Sequence, residues 1–262
     1  MRRIRLFEFT DMPWYPDTFR RVQVDYLQFV ATRGSGPRRL VPLILKAMQQ
    51  AGTTEIVDLC SGGTGPWSKL QPQLAAAGYP ATVTLTDKYP HPEAARRWAP
   101  ASGSPIEYLA EPVDALDVPP HLTGMRTLFE GFHHFAPEQA RAILQDAVEQ
   151  KQAIGVFEIT LKPPFGPLML LLAPLTTVLS YFLLTPFIKP RTPERFMWTY
   201  LLPVVPLTTS WDGVVSLLRV YSPRELEELA ASVPCQGYRW EAGLASTGTP
   251  LFVHTYLLGY PA

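Results

Sequence analysis

Val57-Asp58-Leu59-Cys60-Ser61-Gly62-Gly63-Thr64-Gly65-Pro66-Trp67 is the stretch that decides the fold. It continues an apolar run, Glu55 to Cys60, that reads as a buried strand. Glycines follow, and Pro66 opens a helix that reaches about Ala77. A strand, a glycine turn and a helix in that order aim free N–H groups at whatever lies beyond the turn. Glycine also lets a ligand approach the backbone closely. About 20 residues past the last glycine, Asp87 closes a second strand, Ala81 to Asp87, where a carboxylate is placed to accept both hydroxyls of a ribose. The glycines stand at 62, 63 and 65, so the spacing is not the dinucleotide G-x-G-x-x-G.

Outward from this segment, strands and helices alternate. Upstream lie a helix from Asp17 to Thr32, a break at Gly34-Ser35-Gly36-Pro37 and a second helix from Arg38 to Gln50. Downstream come a helix at Pro92–Trp98, strands at Ile106–Leu109 and Thr127–Phe132, a helix at Pro137–Gln150 and a strand at Ala153–Ile159. This alternation predicts an α/β, Rossmann-like, mostly parallel sheet with helices on both faces. It then stops: no charge occurs from Phe165 to Ile188, and a second apolar block, Phe196 to Leu218, is broken by Trp211-Asp212-Gly213. Ser222-Pro223-Arg224-Glu225 carries the signature of a capped helix start, and two closing strands fit Gly237–Ala242 and Pro250–Tyr260. The expected organisation is a helical lead over 1–36, a core over 37–162, an apolar helical insertion over 163–221, and a helix with closing strands over 222–262.

Composition narrows the functions. Of 262 residues, 18% are charged and 47% apolar, and the net charge is zero, which disfavours a nucleic-acid partner. Two cysteines, Cys60 and Cys235, imply no disulfide framework and fit a reducing compartment. The start is basic but lacks the apolar core of a signal peptide, so a cytoplasmic protein is expected, with the membrane face as a second location. No metal is expected, because the cysteines and His91, His121, His133, His134 and His254 show no zinc-type spacing.

Catalytic groups of such a sheet belong at its carboxyl end. Phe129-Glu130-Gly131-Phe132-His133-His134-Phe135 delivers Glu130, His133 and His134 there, and a neutral imidazole is a suitable base near pH 7. Glu158, late in an apolar strand, is a further candidate, since a buried acid needs a partner or a role.

The glycine segment resembles motif I of the class I, Rossmann-like S-adenosylmethionine (SAM) dependent methyltransferases, an acidic residue followed by two others and Gly-x-Gly. Asp58 and Gly62 match it, the second glycine is either replaced by Thr64 or displaced to Gly63 or Gly65, and Cys60 and Ser61 complete the loop. Asp87, with Lys88 beside it, resembles the family's ribose-binding acid, and Asp114-Ala115 resembles the pair that holds the adenine. Phe132 to Phe135 is similar to a Phe-His-His-Phe segment in bacterial members with an apolar insertion. The resemblance implies seven strands ending in an antiparallel hairpin, SAM as cofactor with S-adenosylhomocysteine (SAH) as product, and methyl transfer. Because the connection after the fifth strand borders the substrate in that family, an apolar one implies a hydrophobic small-molecule acceptor. The motifs also admit SAM chemistry other than methylation, or a noncatalytic, membrane-associated SAM-binding partner. For the insertion, a cover over the substrate is expected first, peripheral membrane contact second and a homodimer interface third.

Overall fold

The computed structural model describes residues 3–31, 36–63, 65–99, 103–161 and 166–262. Thr64, Gly34, Ser35 and the first residues of the apolar segment, 162–165, lie outside them. The chain begins as an extended strap, then forms α1 (Asp17–Ala31) and α2 (Val41–Ala51). The alternating core is β1 (Glu55–Leu59), α3 (Trp67–Ala76), β2 (Thr82–Leu85), α4 (Pro92–Arg97), β3 (Ile106–Tyr108), β4 (Met125–Phe129), α5 (Pro137–Glu149) and β5 (Ile154–Leu161). The apolar segment folds as α6 (Gly166–Leu184), a short α7 (Pro193–Phe196) and α8 (Val204–Arg219). The chain closes with α9 (Pro223–Ala231), β6 (Tyr238–Ser246) and β7 (Phe252–Pro261).

The strands form one seven-stranded sheet in the order β3-β2-β1-β4-β5-β7-β6. The first five are parallel and β7 runs against both of its neighbours. This is the expected α/β, Rossmann-like architecture, and its order reverses between β1 and β4. In open sheets of this kind ligands bind beyond the carboxyl ends of the strands at that reversal.

Side chains alternate across the sheet as a strand requires. Ile56 joins Ile44, Met48, Trp67 and Leu85 in a core on the α2–α3 face. Its neighbour Val57 joins Leu128, Ile143, Leu144 and Leu226 on the α5–α9 face. A third cluster lies outside the sheet, where Val22 and Tyr26 of α1 meet Tyr181 of α6 and Val205 of α8. The Tyr26 and Tyr181 rings are stacked with centroids 3.8 Å apart.

Several expectations need correction. β4 ends at Phe129 rather than Phe132, because Glu130 takes a left-handed φ of +53° and Phe132–His134 wind into a 3-10 turn. Trp211-Asp212-Gly213 does not break the second apolar block: α8 runs through it, and Asp212 is buried against the strap. Arg195, between the two apolar blocks, is buried as well: it is 2% exposed and ion-paired with Asp25 of α1.

Candidate active site

The carboxyl ends of β1 and β4 meet where the strand order reverses, and each leaves its strand through a left-handed non-glycine residue. Cys60 has φ +58° and Glu130 φ +53°. Such conformations cost energy and persist where surrounding contacts fix them, often at functional sites. The two turns touch, since a Cβ on Gly131 would lie 3.0 Å from the Cys60 Cβ.

Beneath the glycine turn, Asp58 is 1% exposed. Its carboxylate accepts hydrogen bonds from Ser61 Oγ at 2.6 Å and Thr127 Oγ1 at 2.6 Å. Burial pushes its pKa up to about 6, with the hydrogen bonds from Ser61 and Thr127 pulling the other way. Gly62 and Gly65 adopt φ +56° and +52°, and a Cβ on Gly65 would stand 3.3 Å from Asp58 Oδ2. Asp58 thus holds the turn from inside. Asp87 holds it from the side, taking the Gly62 N–H on Oδ2 at 2.8 Å and the Tyr89 N–H on Oδ1 at 2.8 Å. Each of those oxygens retains a lone pair, the acceptors a diol needs. Tyr108, unnoticed in the sequence, donates its hydroxyl to the Gly62 carbonyl at 2.9 Å. Its aromatic position ending β3 was the only signal.

Lys88 and Asp114 are brought together at 2.7 Å, and Asp114 Oδ1 also accepts the Leu116 N–H at 3.0 Å. Ala115 is buried. Burial and the nearby carboxylates of Asp87 and Asp58 hold the Cys60 thiol well above its ordinary value, which favours its protonated form. From above, α1 lies over the turn, with Val24 Cγ1 within 3.7 Å of a Cβ placed on Gly62 and the Gln28 side chain where a Gly63 Cβ would be.

The histidine pair sits beside this turn. His133 is buried, and its Nδ1 lies 2.5 Å from Glu158 Oε2, while Glu158 Oε1 accepts the Phe132 N–H at 2.6 Å. Burial alone would raise the Glu158 pKa, but His133 outweighs it and holds the carboxyl below its usual value. Glu158 thus fixes the orientation of the His133 ring. His133 Nε2 has no hydrogen-bond partner among the described residues and faces Glu8 Oε1 at 3.7 Å. The His134 side chain is 31% exposed, and its Nδ1 contacts Asp11 Oδ1 at 2.7 Å. Burial would lower its pKa, but Asp11 and Glu8 raise it above the ordinary value. Glu130 turns toward the neighbouring strand, where both of its carboxylate oxygens accept the Ile159 N–H, at 2.9 and 3.0 Å.

Glu8, Asp11 and Arg219 belong to this site although nothing local in the sequence marks them. Arg219 Nη1 lies 2.8 Å from Glu8 Oε1 and 2.6 Å from Asp11 Oδ2. Glu8, His133 and His134 bring three metal-ligating atoms within 4.8 Å of one another. The cation facing their carboxylate is Arg219.

The cover expected from the apolar segment is only partly formed. α8 packs on the 3-10 turn and on β5. Leu168, Leu171, Leu175, Leu179 and Leu183 of α6, however, face outward, because its inner side is taken up by α1 and α8. Hollows of about 390 Å³ at α9–β6 and about 360 Å³ at the amino ends of β1–β3 both lie away from the glycine turn.

No family model matches this chain, and no curated protein matches it. Among solved structures it is similar to the plantazolicin methyltransferase BpumL in complex with SAH, over 95% of this chain and 91% of that one, with 11% identity and a TM-score of 0.49. Human N-acetylserotonin methyltransferase in complex with SAM is similar over 85% of this chain and 52% of its own length, with 15% identity and a TM-score of 0.45. A putative Zn-dependent alcohol dehydrogenase from Rhodobacter sphaeroides is similar over 90% and 97%, with 12% identity and a TM-score of 0.48.

Proposed function

We propose that this chain is a SAM-dependent methyltransferase acting on a hydrophobic small molecule. The observation that carries the reading is the glycine turn at the strand-order reversal, held between a buried Asp58 and an Asp87 whose two oxygens already meet backbone N–H groups. That cradle suits a ribose-bearing cofactor: Asp87 would take the hydroxyls, and Gly62, Gly63 and Gly65 would let the cofactor approach the backbone. Asp114 and Ala115 would border its base. When bound, SAM supplies an electrophilic methyl group on a sulfonium.

The residues do the rest by position and proton handling. Methyl transfer is a displacement, so holding the acceptor in line and keeping water away supply much of the rate. His134, partly open to solvent on the turn that ends β4, is the group an acceptor's proton would reach. His133, fixed by Glu158, is a positioning residue whose ring lies tilted against it, with centroids 4.3 Å apart. The hydrophobic acceptor is supported by apolar Val24 over the turn and by α8, which packs on the 3-10 turn that carries the histidines.

Calorimetry with SAM and SAH tests the cofactor. Asp87→Ala should weaken binding by about 1–3 kcal/mol, as an unpaired polar group does, and unchanged affinity would remove Asp87 from the site. Formation of SAH on incubation with a lipid extract tests the reaction.

A further inference from the structure

α6 presents an unusual surface. Its Leu168, Leu171, Leu175, Leu179 and Leu183 are 53–76% exposed and lie along one side of a helix of 19 residues, about 28 Å long. Large contiguous apolar surfaces on a monomer mark a contact with something apolar. The polar atoms here have also been withdrawn from water. The Thr176 hydroxyl donates to the carbonyls of Leu172 at 3.1 Å and Ala173 at 3.0 Å, and Ser180 Oγ donates to Thr177 O at 2.8 Å. The exposed Tyr200 gives its hydroxyl to Phe182 O at 2.6 Å, and Trp211 Nε1 donates to Phe7 O at 2.9 Å. This pattern suits an apolar solvent, where any polar group left open is costly.

We infer that α6 is a monotopic membrane anchor that lies in the interface of a lipid bilayer with its leucine side down. Three further observations select a bilayer. No carboxylate occurs from residue 166 to 193, while Lys189 and Arg191 are exposed just past the helix, where they meet headgroup phosphates. Exposed Trp14, Tyr200 and Trp211 are the amphipathic rings that favour the headgroup level. The opposite side of α6 is committed to protein: Tyr181 is fully buried on Tyr26, and Ser210 Oγ bonds Pro174 O at 3.1 Å. A helix anchored along one side lies on a membrane and does not span it.

The inference stands apart from methyl transfer, because SAH affinity is measured without lipid and either result can fail alone. The test is flotation of the full chain with phosphatidylcholine–phosphatidylglycerol vesicles. The chain should float with them, and hydrogen exchange over 168–187 should slow on vesicles. Leu171→Asp, Leu175→Asp and Leu179→Asp should each lower partitioning about tenfold, as expected for a lost leucine burial. Leu244→Asp, exposed on β6 outside this face, should float normally. The inference fails if the unaltered chain stays with the soluble fraction, or if the triple variant, folded by circular dichroism, still floats. It also fails if light scattering finds a dimer that the α6 substitutions dissolve while exchange over 168–187 ignores vesicles; the face would then belong to a second copy.

Discussion

Asp58 carries a cost that its position explains. A carboxyl raised to about 6 binds its proton more tightly in the folded chain than in the unfolded one. Its contribution is therefore most favourable below pH 4 and is lost as pH rises through 6, a change of about 3 kcal/mol. Asp58→Asn removes the titration, so the difference in unfolding free energy between the two proteins should move in the variant's favour from pH 4 to pH 7. Denaturant melts at several pH values measure it, and a constant difference would contradict the assignment. His134 has the opposite use for its proton. Its pKa is raised, so a base at this position becomes available only above the ordinary histidine range. kcat/KM should accordingly climb on the alkaline side of about pH 6.5, the unperturbed value. His134→Ala should cost about 10²- to 10⁴-fold in kcat and erase that limb while leaving SAH affinity intact. Equal pH profiles for the two proteins would return His134 to a structural role.

At the scale of elements, the sequence was readable where signals were local and misleading where partners were distant. Ser222 accepts the Glu225 N–H while Glu225 accepts the Ser222 N–H, the reciprocal cap that starts α9 where four consecutive residues announce it. Ser222→Ala should lower stability by about 1 kcal/mol in denaturant melts. The early end of β4 was invisible, because the turn of Glu130 is fixed by Ile159 on the next strand. Asp212 reads as an interruption, since hydropathy registers a charge and not its partner. Asp212 takes the Phe9 N–H at 2.7 Å and the Gln23 amide at 2.9 Å, and these contacts make a buried acid part of α8. The glycine turn and its two aspartates could be read directly, because their meaning lies in order along the chain. The electrostatic frame around the histidines could not.

Across the whole molecule, that frame joins the strap to the far end of α8. Ile4 N donates to Leu218 O at 2.9 Å, and Arg3 donates to the carbonyls of Phe135 at 2.9 Å and His133 at 3.1 Å. Glu8 is 2% exposed and Arg219 3%, so removing one charge strands the other in the interior. Glu8→Ala should destabilise the fold by about 3–5 kcal/mol, and Glu8→Gln should cost less because it keeps a polar atom against Arg219. Thermal melts of the two variants check the order. Asp11 follows the same logic: burial would raise it, but His134 and Arg219 bring it down to about 2. Its stabilising share is present above the unfolded carboxyl value near 4 and disappears as pH falls through 2.

The strap also sets a schedule. Contacts between partners more than 200 residues apart carry a large loop-closure cost that is met only late in folding. Residues 3–11 are synthesised well before Arg219 and Leu218, which emerge only after the five parallel strands and α6. The sheet can assemble while its histidine turn is still open. The chamber around His133 and His134 should therefore be the last part of the protein to exclude water, and in pulse-labelling hydrogen exchange the amide of Ile4 should gain protection after those of β1 and β4.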